Sequence, residues 1–392
     1  MRIVYGVHGY GRGHATRALA VLPHLARRHQ ILVLAGGDAH AAIAPDFPVM
    51  RIPTLGFAYG RRSGKRSNLR TFRRNFPAAL DLLLNGPVFG MVRGAIADFA
   101  PDAVICDAET WTCHAAASLK IPRISFDHIG MMAYCRPRIE WRDQLEARFD
   151  TLCYQLLMPE PERVIVSSFY PLEPSRRGVR VIGTLARRAV REAVPTTGKH
   201  LLVYFNQGHH QFRPSILRAL EGVGCPVHVY GTPRRGRHGA LSFLPPSNLP
   251  FLEDLAACRA VISTAGNQLM GEAAFLGKPM LVMPERCVEQ RLNAAAVERL
   301  GIGIRTTPSR FSAELVRRFL DGSGRYLTNL KEHKRDGLPE ALSALEQFLG
   351  ELAVGHTKCD DRAEPGRAAP IGPKARLPEH GGIVAEERSL AS

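Results

Sequence analysis

Long apolar runs are missing from this 392-residue sequence. No stretch reaches the roughly eighteen apolar residues that a membrane-spanning helix needs. The opening Met-Arg-Ile-Val-Tyr-Gly-Val lacks the apolar core and cleavage site of a signal peptide, and predicts a buried strand instead. We therefore expect a cytoplasmic protein, with the inner face of a membrane as the alternative location.

Metal-binding patterns are also missing. The eight cysteines are scattered, and none forms a Cys-x-x-Cys pair or a zinc spacing. An Asp-x-Asp motif is absent as well: Asp360 and Asp361 adjoin in the polar tail, and Asp107-Ala-Glu109 matches such a motif only loosely. These absences predict reduced thiols, no metal and no cofactor.

The charge is strongly positive, with a net value of +16. The tail from residue 355 is neutral, so the excess belongs to the rest of the chain. Residues 61–74 hold seven Lys and Arg and no acid, and predict a mobile basic loop near the cleft. Such charge suits nucleotide phosphates, an anionic acceptor or an anionic membrane, whereas no motif supports nucleic acid. The alternative is a solvated charged surface without a partner.

Short apolar runs alternate with longer amphipathic stretches. The predicted strands are residues 3–7, 31–35, 49–53, 103–106, 123–126 and 164–167, then 201–205, 227–230, 260–263, 280–283 and 302–305. This alternation predicts an α/β fold with two Rossmann-like, doubly wound parallel-sheet domains facing a cleft. The predicted division is a first domain at 1–182, a linker at 183–199, a second domain at 200–354, and a disordered tail at 355–392.

The first strand runs into a glycine-rich turn. Gly9, Gly11 and Gly13 are followed by His14, where a helix begins and its N–H groups favour an anion. The spacing differs from the dinucleotide fingerprint, and Asp38 is a poor match for its acidic residue.

His14 at this helix start is a candidate general base, because the helix dipole favours a neutral imidazole. Asp107 follows a strand and could orient it as a dyad. Glu109 is a rival partner, His8 a weaker base, and a helix-capping role for Asp107 or a structural role for His14 stays open.

The second half carries a longer motif. A strand ends at Ser263 and a helix starts at Asn267, so its free N–H groups suit a diphosphate. Glu272 on that helix can accept bonds from a ribose diol. Glu289 and Gln290 follow the next strand and suit sugar hydroxyls.

The segment Phe251-Leu-Glu-Asp-Leu through Thr264-Ala-Gly-Asn-Gln, Glu272 and Glu289-Gln290 resembles the C-terminal signature of GT-B glycosyltransferases. The similarity is to the glycosyltransferase 28, MurG and UDP-glucuronosyltransferase-like group, in particular bacterial and archaeal members. Thr264-Ala265 stands where many relatives have His-Gly or Ser-Gly, and His209 and His210 follow Asn206-Gln207-Gly208, so they are alternative phosphate contacts.

The resemblance implies that the domain at 1–182 binds the acceptor and the domain at 200–354 binds the nucleotide-sugar. It also implies a role for each matching residue. Leu252 lies near the base, and Gly183-Thr184 ends the first domain. His14 is the base and Asp107 its partner. The implied donor-binding set is Gly11, Gly13, Asn206, Gly208, Leu252, Thr264, Ala265, Gly266, Asn267, Gln268, Glu272, Glu289 and Gln290.

The resulting hypothesis is an inverting, metal-independent transfer of a sugar from a nucleotide-sugar, first of all a UDP-sugar, to a hydroxyl acceptor. Two alternatives stay open. One is a sugar-nucleotide epimerase of the same fold, and the other is a non-catalytic partner subunit that binds the nucleotide-sugar.

Overall fold

The computed structural model describes residues 1–58, 67–206, 208–245 and 248–360. The chain divides into two compact units, residues 1–353 and 354–392. In the second unit the described residues continue a helix to Asp360, so the predicted tail begins helical and its remainder lies outside the described residues.

The first sheet of the large unit is wholly parallel within the described residues. Its strands are β1 Arg2–Val7, β2 Gln30–Ala35, β3 Val49–Arg51, β4 Ala103–Asp107, β5 Arg123–Asp127, β6 Arg163–Ser167 and β7 Val179–Ile182. The helices between them are α1 Arg12–Leu25, α2 Gly37–Ile43, α3 Asn68–Leu83, α4 Pro87–Phe99, α5 Thr110–Ser118, α6 Met131–Tyr134 and α7 Gln144–Leu157, with a 3₁₀ turn at Trp141–Asp143. The spatial order is β3-β2-β1-β4-β5-β6-β7.

The second sheet is parallel except for its edge hairpin, β10 with β11. Its strands are β8 Leu201–Tyr204, β9 Val227–Tyr230, β10 Gly236–His238, β11 Leu241–Phe243, β12 Ala260–Ser263, β13 Met280–Val282 and β14 Gly303–Arg305. The helices are α8 Arg188–Glu192, α9 Gly208–Gln211, α10 Pro214–Glu221, α11 Asn248–Ala257, α12 Asn267–Phe275, α13 Val288–Arg299, α14 Ala313–Asp321, α15 Ser323–Leu330 and α16 Leu338–Asp360, with a 3₁₀ turn at Lys331–His333. The spatial order is β10-β11-β9-β8-β12-β13-β14.

Both sheets are packed with apolar side chains on their two faces, as expected for nearly continuous apolar strands. The predicted α/β class with two parallel sheets is confirmed. The sequence analysis missed β7, β10 and β11, because they are three or four residues long and β10 is exposed. The predicted basic loop at 61–74 is corrected from residue 68 onward, since α3 begins there, and residues 61–66 lie outside the described residues.

Helix α16 follows the second sheet in sequence but packs on the first. Ala341, Leu345 and Phe348 are buried in the same cluster as β1 and α1. The chain thus passes between the sheets twice, and the passages touch: Gly337 N donates to Thr184 O at 2.9 Å. A Cβ on Gly337 would stand 1.9 Å from Gly183 O. The predicted domain boundaries at 183–199 and 354 stay predictions.

No single helix of the described part is long and apolar enough to cross a membrane. The pair Leu69–Leu83 and Pro87–Phe99, bent by 53°, meets that test jointly, by length and composition only.

Candidate functional site

Each sheet has one point where the strand order reverses, and ligands of such folds bind beyond the carboxyl ends of the strands there. In the first sheet this point lies between β1 and β4, where Val7 pairs with Asp107. In the second it lies between β8 and β12, where Ser263 pairs with Tyr204. The turns that follow these strands carry most of the predicted site.

A cavity of about 510 Å³ receives both sets of turns. Its predicted members are Gly11, Gly13, His14, Asn206, Thr264, Gly266, Asn267, Gln268, Glu272, Glu289 and Gln290. Residues that the sequence analysis did not assign to the site also line it: Tyr10, Arg12, Thr16, Arg17, Asp38, His128, Ile129, Arg187, Tyr204, Tyr230, Gly231, Thr232, Phe251, Ser263 and Leu269. The cavity is large enough for a nucleotide-sugar-sized ligand.

His14 and Asp107 are in contact. His14 Nδ1 lies 2.6 Å from Asp107 Oδ1, and the Asp107 side chain is fully buried while His14 is 14% exposed. Arg17, one turn along α1, places Nε 2.8 Å from Asp107 Oδ2. Because Nδ1–H donates to the carboxylate, the lone pair of a neutral His14 stands on Nε2, where it can accept a proton.

The negative charge of Asp107 is stabilised by its neighbours. Burial raises its pKa, but Arg17 and then His14 outweigh burial, so the pKa of Asp107 is lowered from its usual value. His8, whose ring centroid lies 5.1 Å from that of His14, is different: burial first, and His14 second, lower its pKa to about 3. His8 is therefore neutral, and within the described residues no carboxylate is hydrogen-bonded to its ring.

The rival partner Glu109 does something else. Its carboxylate accepts from Trp111 N at 3.1 Å and Thr112 N at 2.7 Å, so Glu109 caps α5. Burial raises its pKa to about 7 despite these bonds. Asp107 is thus the partner of His14, and the capping function belongs to Glu109.

Two helix starts face the cavity together. Gly11 precedes α1 and Gly266 precedes α12, and neither capping residue makes a side-chain bond to its helix. The Asp38 carboxylate accepts from Gly11 N at 3.0 Å. A Cβ on Gly13 would lie 3.8 Å from Gln268 Cβ, so the two starts are close. Uncapped N–H groups on two converging helices make an anion-binding wall.

The polar side chains at the start of α12 are already engaged. Asn267 accepts from Phe169 N at 3.2 Å and donates to Ser167 O at 3.1 Å. Gln268 Nε2 donates to Leu185 O at 2.7 Å. These bonds fix the first turn of α12, so its backbone N–H groups are the better candidates for phosphate contact.

Glu272 has a partner that the sequence did not reveal. Arg187 forms a bidentate ion pair with its carboxylate: Nε donates to Oε1 at 2.8 Å, and Nη2 donates to Oε2 at 2.6 Å. Gln268 Nε2 adds a bond to Oε1 at 3.1 Å. Arg187 N also donates to Oε1 at 3.3 Å, so Oε2, which accepts one bond, is the oxygen left for a ribose hydroxyl.

Glu289 lies near the first half of the chain at His128, whereas Gln290 bonds within the second half. His128 Nδ1 donates to Ser167 O at 2.7 Å, and its Nε2 lies 3.7 Å from Glu289 Oε1. Burial lowers the pKa of His128 more than Glu289 raises it. Gln290 Oε1 accepts from Glu285 N at 2.9 Å. Within the described residues the Glu289 carboxylate has no hydrogen bond shorter than 3.4 Å, so it is the member of this pair that can accept from a sugar hydroxyl.

Four predicted residues lie behind the cavity wall. Leu252 is in the apolar core, and Phe251 lines the cavity in its place. Ala265 is fully buried with φ +68° and accepts from Asn293. Gly208 begins α9 and donates to Gly231 O, and Asp107 reaches the cavity through His14. Gln207 and the side chain of His209 lie outside the described residues, while His210 lines a neighbouring cavity of about 250 Å³.

Comparison with known proteins gives a concordant result. The family model described as "Glycosyl transferase family 1" matches residues 1–322. A curated relative from Methylorubrum populi, the UDP-N-acetylglucosamine–N-acetylmuramyl-(pentapeptide) pyrophosphoryl-undecaprenol N-acetylglucosamine transferase, is 25% identical over 78% of this chain and 85% of its own.

Solved structures share the fold at low identity. The glycosyltransferase of kitacinnamycin has a TM-score of 0.62 and 20% identity, covering 88% of this chain and 98% of its own. Acinetobacter baumannii MurG has a TM-score of 0.57 and 15% identity, covering 88% and 99%. Arabidopsis thaliana UGT89C1 has a TM-score of 0.62 and 14% identity, covering 90% and 99%. The GT-B fold that the resemblance implied is confirmed.

Proposed function

The chain belongs to glycosyl transferase family 1 and is a glycosyltransferase, and on that premise we propose that it moves the sugar of a UDP-sugar to a hydroxyl acceptor, with inversion and without a metal. The observation that carries the proposal is the meeting of the His14–Asp107 pair with the uncapped start of α12 in one cavity.

In the proposed step the donor diphosphate lies at the start of α12 and the acceptor enters beside His14. The acceptor oxygen forms a bond to the anomeric carbon while the bond from that carbon to the diphosphate oxygen breaks. The acceptor proton passes to His14 Nε2, and Asp107 stabilises the imidazolium that forms. One in-line displacement inverts the anomeric centre.

Charge on the leaving diphosphate is met by protein groups in this proposal. The two helix starts supply N–H groups, and Arg12 lines the same cavity. We expect enzyme treated with a chelator to keep its transfer rate. A rate that collapses with chelator and returns with Mg²⁺ would contradict the metal-independent mechanism.

UDP is our choice of nucleotide because the curated relative's name gives UDP-N-acetylglucosamine as its donor. Aromatic rings of Tyr204, Tyr230 and Phe251 wall the second half of the cavity and suit a base. A thermal-shift comparison of UDP, GDP and dTDP tests the choice, and stabilisation by GDP or dTDP alone would replace it.

The role of His14 has a matched control in its own helix. We expect His14→Ala to bind UDP with unchanged affinity and to lose turnover of the donor by roughly 10²–10⁴-fold. His24→Ala, which changes a histidine of α1 outside the cavity lining, should keep full activity. Two measurements separate the alternatives. Incubated with the sugar nucleotide alone, an epimerase returns an isomerised sugar. If the chain is a non-catalytic subunit, His14→Ala leaves its function unchanged.

We further propose that the acceptor is lipid-linked or otherwise anionic and that α3 holds the enzyme on an anionic membrane surface. One face of α3 exposes large apolar side chains, namely Leu69, Phe72, Phe76, Leu80 and Leu83. Arg70, Arg73 and Arg74 belong to the same helix. An exposed apolar stripe flanked by arginines is the composition of an interfacial helix.

Sedimentation with lipid vesicles tests this surface. We expect binding to phosphatidylglycerol vesicles, weak binding to phosphatidylcholine, and a loss of at least about tenfold when Phe72 and Phe76 are both changed to Ser. Val194→Ser removes another exposed apolar side chain and should change nothing. Equal binding of all three proteins would disprove the α3 assignment and leave the cleft chemistry untouched.

A further inference from the structure

A second group of titratable side chains lies in the second half of the chain, outside the cleft. His200 directly precedes β8, His228 belongs to β9, and Asp254 belongs to α11. Leu202 pairs with His228 across the two strands, so His200 and His228 stand on the same sheet face. Helix α11 packs on that face and brings Asp254 to both.

The three side chains converge. One nitrogen of each histidine and one carboxylate oxygen lie within 4.8 Å of one another. His228 Nδ1 is 2.8 Å from Asp254 Oδ2, and His200 Nε2 is 3.7 Å from Asp254 Oδ1. The imidazole rings are stacked, with centroids 4.3 Å apart and planes 19° from parallel, so one ring must turn before both lone pairs point at one ion. Side-chain exposures of 13%, 28% and 21% leave the cluster open to a small ion.

The surroundings match those of a metal ligand set. Tyr230 OH donates to Asp254 Oδ2 at 2.5 Å and so fixes the carboxylate from behind. The nearby Lys278 turns its ammonium to the carbonyls of Thr196 and Cys258.

We propose that His200, His228 and Asp254 bind one divalent transition-metal ion, with Zn²⁺ as the best match to two imidazole nitrogens and one carboxylate oxygen. His228 Nδ1 donates to Asp254 Oδ2, and His200 Nε2 donates to the backbone oxygen of Asp254 at 3.1 Å. Binding therefore requires each of these two nitrogens to give up its hydrogen, which moves to the other nitrogen of the same ring. A water molecule completes the coordination on the exposed side.

The consequence for the cleft is mechanical. Asp254 lies on the same helix as Phe251, and it bonds Tyr230; both aromatic residues line the cavity. An ion that links Asp254 to the histidine of β9 and to the histidine before β8 would therefore restrict the movement of Phe251 and Tyr230 in the cavity wall. None of the three ligands lines the cavity, so no step of sugar transfer passes through the ion, and the site does not depend on the proposed function.

The test uses the full chain without an affinity tag, stripped by chelator and dialysed. Calorimetric titration with Zn²⁺ should give one ion per chain, and Zn²⁺ but not Mg²⁺ should raise Tm. His200→Ala and Asp254→Asn should each weaken Zn²⁺ binding at least about tenfold, and Tyr230→Phe should weaken it less. His238→Ala is the matched control, because His238 pairs with Glu221 elsewhere on the same sheet.

Two results would overturn the site. One is Zn²⁺ affinity that is the same in wild type and in folded His200→Ala protein, which would assign binding to other histidines. The other is a Co²⁺ complex of the wild type with thiolate charge-transfer absorption, which would assign it to cysteine. Because the Co²⁺ spectrum is taken on the wild type, it decides the matter even if a variant fails to fold.

Discussion

The contact of Asp107 with Arg17 and His14 makes a quantitative prediction about stability. Asp107 is fully buried and Arg17 is 3% exposed. In Asp107→Asn the shape is kept, but the buried guanidinium loses its counter-ion. Removing one partner of a buried pair destabilises by about 3–5 kcal/mol, which for a chain of this size lowers Tm by about 4–6 °C.

A double-mutant cycle separates pairing from burial. Replacing both charges with groups of similar size is often close to neutral. Arg17→Met combined with Asp107→Asn should therefore be less destabilised than the sum of the single variants, with a coupling energy of at least about 2 kcal/mol from urea unfolding. Asp102→Asn changes a carboxylate that accepts from Arg2 N at the surface, and should cost less than about 1 kcal/mol.

The pH dependence supplies a second readout for Asp107. Its pKa is lowered in the folded chain, so its contribution is present above the unfolded value near 3.8 and is lost as the pH falls through the folded pKa. Asp107→Asn should therefore lose part of the acid sensitivity of the wild type below about pH 4. Additive single variants and an unchanged acid profile would refute the argument.

Two further predictions concern single substitutions, one at a buried carboxylate and one at a pair of glycines. The pKa of Glu109 is raised to about 7, so its contribution to stability is present below the unfolded value near 4.5 and is lost as the pH rises through 7. In urea unfolding, the free energy of unfolding of Glu109→Gln should rise relative to that of the wild type by about 3 kcal/mol between pH 4.5 and 8. A difference between the two proteins that does not change with pH would contradict this. Gly266→Ala should leave Tm unchanged because its Cβ meets nothing within 4 Å, yet weaken UDP binding at the cavity wall. Gly271→Ala places a Cβ 2.3 Å from Thr184 Cβ and should lower the free energy of unfolding by about 1–3 kcal/mol. If Gly266→Ala were the less stable of the two glycine variants, both predictions would be wrong.

The sheets were predictable because buried parallel strands are continuous apolar runs, which need no knowledge of their neighbours. The clustering of His14, Gly266 and Glu272 was predictable for a related reason, since strand ends in a doubly wound sheet meet at one edge. Features that depend on tertiary contacts could not be predicted. No pattern in the sequence around Arg187 indicates that it pairs with Glu272.

Other failures have the same cause. His128 is a lone histidine after β5, and its contact with Glu289 joins residues that are distant in sequence. Leu252 and Phe251 are adjacent apolar residues, and only the rotation of α11 decides which of them faces the cavity. Asp107 and Glu109 are two residues apart, and the left-handed Ala108 between them, with φ +50°, separates their directions.

The two passages of the chain between the sheets lie side by side and are bonded to each other, through Gly337 N to Thr184 O and Gly183 N to Glu340 Oε2. Glycines where they touch leave no side chain to hold them apart. Because these bonds join the two passages at one place, sliding or separating the halves would have to break them. We expect any closure that carries His14 toward a bound donor to turn about this place, and truncation before Gly337 to remove both bonds.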